Sequence, residues 1–132
     1  MSGRSRSDAG QVTAFVTTTA LTLVFVFALV WEGGSALAER SRALSLAQEA
    51  ARAGAQQIDL AAYRADEEIL LDPGAAERAA RNFLDQAGAA GTVSAGEDAV
   101  TVTAQLDYDF TLLPLGSRTL AASASAAPHT GP

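Results

Sequence analysis

From Gln11 to Trp31 the chain runs QVTAFVTTTALTLVFVFALVW, with no charged side chain, between Arg4 and Arg6 on one side and Glu32 on the other. A bilayer's hydrocarbon core, about 30 Å thick, takes about 20 residues of helix, so the stretch is long enough to span it. In lipid no water satisfies a free amide, and the backbone must close its hydrogen bonds within the segment. That demand overrides the poor helical preference of the β-branched run Val16-Thr17-Thr18-Thr19. Each threonine hydroxyl can return to a carbonyl one turn back.

The flanking charges set an orientation. Arg4 and Arg6 place residues 1–10 in the cytoplasm, Trp31 falls where an interfacial aromatic is expected, and everything from Glu32 lies outside. The competing reading is a secretory signal cut after Ala38, since Ala36-Leu37-Ala38 has the small-x-small pattern. Two features weigh against it. The apolar run exceeds the usual signal core of about 7–15 residues, and the cut would fall inside a helical pattern. Thr13 with Thr17 and Thr18 with Thr22 share helix faces, a spacing that mediates packing between membrane helices. A single span tolerates the same residues as neutral filler.

The chain is 132 residues long with a net charge of −6. Beyond the span, roughly a hundred residues leave room for one modest core and little for an elaborate active site. Charge is unevenly spread: residues 1–58 carry five Arg against four acids, whereas residues 59–116 carry three Arg against eleven acids, a net −8. An acidic outer segment repels phosphate backbones, which argues against a nucleic-acid partner. The sequence has no cysteine and no lysine, so thiol chemistry, zinc-thiolate sites and lysine bases are excluded.

Past the span, SALAERSRALSLAQEAARAGAQQID is strongly helical. Leu37, Leu44, Ala47, Ala51, Gly54 or Ala55, and Ile58 recur at three- and four-residue steps as a narrow, small-residue stripe. Gly33-Gly34 either breaks the helix at the membrane surface or is carried through it. If it is carried through, a rod from Gln11 to Ile58 is about 70 Å long. Residues 59–72 are expected to form a helical turn, an acidic loop at Asp66-Glu67-Glu68 and a short strand at Ile69-Leu70-Leu71. Asp72-Pro73 reads as an N-cap with proline at the first helical position. The following helix carries Ala76, Ala80, Phe83, Leu84 and Ala87 on one face, with Glu77/Arg81 and Arg81/Asp85 pairs, and ends at Gly88 or Gly91.

The period then changes from 3.6 to 2. In AVTVTAQLDYDFT, Val100, Val102, Ala104, Leu106, Tyr108 and Phe110 alternate with polar residues as a half-buried strand. Thr92 to Ala95 is expected as its hairpin partner, and SRTLAASASA as a third strand after the LLPLG loop. The fold class is α+β: a transmembrane helix (11–31) continuing into an extracytoplasmic stem (32–58), then a small domain (59–127). That domain sets a second helix on a roughly three-stranded antiparallel sheet. Residues 128–132 form a tail expected to be disordered.

Candidate chemistry is thin. His129, the only histidine, lies in the tail without a positioned partner. Nucleophilic catalysis lacks its usual bases. Asp66, Glu67, Glu68 and Asp72, with Asp107 and Asp109, lack the spacing of a calcium loop and read as a solvated acidic surface. Gly88 to Gly91 lacks the preceding strand of a phosphate-binding turn. No catalytic residue, metal, cofactor or small-molecule substrate is expected.

The layout of GQVTAFV opening an apolar segment, AQEAARAGAQ beyond it, and a strand region ending in LLPLGSRTLAASASA resembles the TadE/TadG-like proteins of bacterial tight-adherence (Flp) pilus systems, actinobacterial type. The resemblance covers most of residues 10–126. It implies a non-enzymatic, pseudopilin-like membrane component working with other Tad-type assembly or secretion proteins, and capable of self-association through its N-terminal helix. It also implies a prepilin-peptidase cut between Gly10 and Gln11. Phe15 stands where processed relatives carry Glu, so an uncut, permanently anchored form is the other expectation. A membrane-tethered or secreted envelope-binding module with no pilus role is the alternative function.

Overall fold

The computed structural model describes residues 5–66 and 68–129, with side chains from Asp8 onward. Arg4, the Arg6 side chain, Glu67 and the tail beyond His129 therefore lie outside the described residues. The elements are α1 (Ser5–Ala55), α2 (Leu60–Asp66), α3 (Pro73–Gln86), β1 (Ala90–Ala95), β2 (Val100–Asp109) and β3 (Ser117–Ala126).

Helix α1 settles the question left at Gly33-Gly34. Its 51 residues are helical throughout, a rod about 75 Å long at 1.5 Å per residue. The apolar run and the small-residue helix beyond it are one element, which ends at Ala55. Nothing lies within 4 Å of where a Cβ would stand at either glycine, so neither position is a close-packing site.

The sheet is antiparallel with order β1-β2-β3. β2 pairs with β1 through Val93↔Val102 and with β3 through Leu106↔Leu120 and Tyr108↔Arg118. Alternation along β2 sends Val100, Val102 and Ala104 into the core. On the opposite face, the Thr103 and Ser123 hydroxyls lie 2.6 Å apart, and Thr101 meets Ser125 in the same way. Such cross-strand hydroxyl pairs favour this register over a one-residue slip, which would invert every side chain. β1 begins at Ala90, two residues before the expected start at Thr92, because Ala90 and Gly91 continue the ladder opposite Gln105 and Ala104.

α1 and α3 cover one face of the sheet. The core joins Ala47, Ala50 and Ala51 of α1 with Ala76, Ala80 and Leu84 of α3, and with Leu71, Val100, Val102 and Ala104. The buried stripe of α1 is Ala43, Ala47, Ala50, Ala51, Gly54 and Ala55. This corrects the expected face at three positions: Leu37 is 68% exposed, Leu44 40% and Ile58, which lies beyond the end of α1 at Ala55, 36%. The reason is steric. A Cβ at Gly54 would lie 2.9 Å from the Ala76 carbonyl oxygen and 3.1 Å from Val100 Cγ1, an approach only small residues permit. Rotating Leu44 inward would prise the helix from the sheet. Leu37 and Leu44 instead line a groove with Arg40, Ser41 and Ala122 beside the edge strand β3.

The α3 boundaries follow local chemistry. Asp72 Oδ1 accepts the Ala75 amide at 3.1 Å, with Pro73 at the first position. At the other end Gly88, at φ 69°, lets Ala89 N–H reach Leu84 O at 3.0 Å and Gly88 N–H reach Asp85 O at 3.1 Å. This is a Schellman cap, and Gly91 lies inside β1. Arg81 pairs with Glu77 at 2.5 Å; Arg81 and Asp85 form no ion pair. The strand expected at residues 69–71 is reduced to a single bridge, Ile58↔Leu71. Leu71 itself is buried, and its amide donates to Glu97 O.

Candidate functional site

The part of the molecule without an explanation in its own core is the first half of α1. From Asp8 to Trp31 every residue is exposed except the half-buried Ala28. Large apolar side chains such as Phe15, Phe25, Phe27 and Val30 have no protein cover. Phe27 and Trp31 stack one turn apart with ring centroids 6.4 Å apart. In water this surface would far exceed the exposed apolar patch a soluble monomer carries. Among the described residues this is the one helix long and apolar enough to cross a membrane.

The threonines of this half are largely self-satisfied. Thr13 Oγ1 donates to Ala9 O at 2.9 Å, Thr18 Oγ1 to Ala14 O at 2.8 Å and Thr22 Oγ1 to Thr18 O at 2.8 Å. Their polarity is thereby reduced toward what lipid accepts. Thr17 is exposed on the same helix. Gly10 and Gln11 lie in the helix, and both are exposed. The Leu37-Ala38-Glu39 segment lies well inside α1.

The two halves of α1 meet at Glu32, where the structure adds something the sequence did not disclose. Glu32 is the only charged residue that is buried among the described ones, with 0% exposure. Its Oε2 accepts the Tyr108 hydroxyl at 2.8 Å. Its Oε1 accepts the Thr111 amide at 2.7 Å, the Thr111 hydroxyl at 3.1 Å and the Leu112 amide. The carboxylate thus ties the helix to the loop that joins β2 to β3. The Tyr108 ring is held in turn by an edge-to-face contact with Phe110, centroids 5.0 Å apart.

Buried carboxylates are costly unless paired or hydrogen-bonded. Here the Leu112 amide foremost, then the Tyr108 hydroxyl and Thr111, hold Glu32 below the usual carboxylate range, although burial pushes the other way. The same hydrogen bond to Glu32, aided by burial, raises the Tyr108 phenol above its ordinary value. The residue expected only to close the span and orient it is therefore also the tie between the helix and a loop almost eighty residues away.

The other acids singled out from the sequence are exposed wherever they are described. Asp66, Glu68, Asp72, Asp107 and Asp109 lie at the surface, and among the described residues no cluster of acidic or histidine side chains has the arrangement to hold a metal ion. Asp107 accepts the Thr119 hydroxyl at 2.8 Å. His129 is exposed and outside any helix or strand.

No curated protein and no solved structure matches the chain. A family match exists, and it coincides with the first helix rather than with the sheet: it starts at the opening of the apolar segment and ends two residues past α1. Residues 10–57 match the model of the family described as "Putative Flp pilus-assembly TadE/G-like", so the likeness covers the first helix and leaves the sheet unmatched.

Proposed function

We propose that the protein is a single-pass, membrane-anchored component of a Tad-type pilus assembly or related secretion apparatus, with residues 1–10 cytoplasmic and the sheet domain outside. The carrying observation is that the family match falls on a helix whose first half has no protein cover. Lipid, or lipid together with neighbouring helices, is the environment that stabilises such a surface. The protein works by packing and contact rather than by chemistry. Thr13, Thr17, Thr18 and Thr22 are the positions through which the span meets other helices, a second copy included. Arg4, Arg6, Trp31 and Glu32 set its orientation and depth.

Two further points support anchoring over export. A cut after Ala38 would sever α1 and remove Glu32 together with its four hydrogen bonds to Tyr108, Thr111 and Leu112. A cut between Gly10 and Gln11 would leave both the span and that junction whole, so processing there is compatible with anchoring. The intact chain should remain in the membrane fraction after alkaline carbonate extraction. A soluble species beginning at Glu39 would refute the proposal. N-terminal sequencing distinguishes an uncut chain from starts at Gln11 and Glu39 in one measurement.

A further inference from the structure

Glu32 does more than join two elements: it sets how far from the membrane the β2–β3 loop can be. Gly54 of α1 faces Val100 at the start of β2, and Glu32 binds Thr111 just beyond its end. The helix between those two points is about 33 Å long at 1.5 Å per residue, and the extended chain from Val100 to Thr111 is about 36 Å at 3.3 Å per residue. The lengths agree, so β2 runs back along the stem toward the membrane. Its far turn at Gly96 to Asp98 points away, and the loop from Phe110 to Gly116 comes to the membrane end.

The height of that loop follows. The segment from Gln11 to Trp31 spans about 31 Å as a helix, which matches the hydrocarbon core, and the headgroup layer adds about 5–7 Å beyond it. Glu32 begins that layer, and the backbone amides of Thr111 and Leu112 are bound to its carboxylate. The loop itself, FTLLPLG, carries no charge and is closed by the Phe110 amide on Gly116 O at 3.1 Å. Leu112 is 53% and Leu115 49% exposed. The outer domain is otherwise acidic, and its nearest acids, Asp107 and Asp109, stand on the strand behind the loop. Arg118, the register partner of Tyr108 on β3, is exposed.

Resting on the reading of α1 as a membrane span, we propose that this loop is a second membrane contact, with Leu112 and Leu115 seated in the headgroup region of the bilayer beside Trp31. An apolar, uncharged loop tied to a carboxylate at that depth has lipid as its nearest available cover. The contact would hold the sheet domain at one tilt to the membrane, where the helix alone would leave it free to lean.

The chain has no cysteine, so single thiols can be placed without background. Leu21→Cys in the span, Leu112→Cys and Leu115→Cys in the loop, and Ser94→Cys on β1 replace exposed side chains. Each full-length variant is labelled with an environment-sensitive fluorophore. Each is then reconstituted into phosphatidylcholine–phosphatidylglycerol vesicles bearing nitroxides at headgroup or acyl-chain depth. The labels at 112 and 115 should lose most of their emission to headgroup nitroxides, the label at 21 to acyl-chain nitroxides, and the label at 94 to neither. If 112 and 115 behave like 94 while 21 is quenched, the loop contact is overturned and the span stands. If 21 is also unquenched, the span reading itself fails and the proposal with it. Labels at 112 and 115 shielded from both lipid nitroxides and aqueous iodide would show a second copy or another protein covering the loop, and would overturn the lipid assignment.

Discussion

The two halves of α1 are one continuous helix with opposite residue logic. Before Trp31 the side chains are mostly apolar, many of them large, and from Asp8 on all but the half-buried Ala28 are exposed; after Glu32 the helix narrows to an alanine and glycine stripe pressed onto a sheet. Bulk is useful where the surroundings are fluid and adapt to any shape. Where the surroundings are another backbone, bulk is what must be removed. The contrast shows that apolarity alone does not mark the stretch of α1 pressed onto the sheet, whereas small side-chain size does.

The comparison can be broken most severely from the lipid side. Val24→Arg places a charge near the middle of the span, at a cost of about 2.5–3.5 kcal/mol for membrane insertion. The measurement is the share of chain resisting carbonate extraction, expected to fall sharply. The same residue swap in both halves comes next. Ala47→Leu or Gly54→Val should destabilise the outer domain by about 1–3 kcal/mol through overpacking, read by denaturant unfolding in micelles. Ala20→Leu, exposed in the first half, should leave that unfolding unchanged. Equal effects at Ala20 and Ala47 would remove the distinction.

The boundary between the halves gives a pH test. The folded Glu32 value lies below its ordinary 4.5, so its contribution is complete above the unfolded value and is lost as pH falls through the lowered folded value. Tyr108, raised above its ordinary 10.0, contributes fully below the unfolded value and loses that contribution as pH rises through the folded one. Glu32→Gln should shrink the acidic limb of the stability profile and return the Tyr108 titration toward its ordinary range, followed by ultraviolet absorbance. An unshifted Tyr108 would show that the tie does not form. The smallest expected effect is remote from α1: Asp72→Ala removes the α3 cap and should lower stability by about 1 kcal/mol, with the exposed half of α1 unaffected.

Much of this architecture was legible because its signals are local. The change of period at Val100, the Asp72-Pro73 start and Gly88 stop of α3, and the alternation from Ser117 to Ala126 each specify an element from neighbours a few residues apart. The length and lack of charge of residues 11–31 likewise needed no partner to be read. The stem face was legible only in part. Ala47, Ala51, Gly54 and Ala55 were expected inside and are, but helical periodicity cannot tell which of two overlapping stripes meets the sheet. Leu37 and Leu44 lost to Ala43 and Ala50 because the sheet leaves room for a methyl group and nothing larger.

Glu32 marks the limit most clearly. An acid after an apolar run is, on local grounds, a membrane-border residue, and Tyr108 and Thr111 are ordinary strand-end residues. Their acquaintance depends on β2 running back along α1 for almost its full length, which no short-range pattern encodes. The sequence by itself determined most of the elements, the long uncharged apolar run and the acidic surface, since each follows from periodicity, length or charge within a short window. Only the tertiary structure decided which stripe of α1 is buried and that the border carboxylate is caged by a distant loop, because burial and hydrogen bonding are settled by what the fold brings alongside.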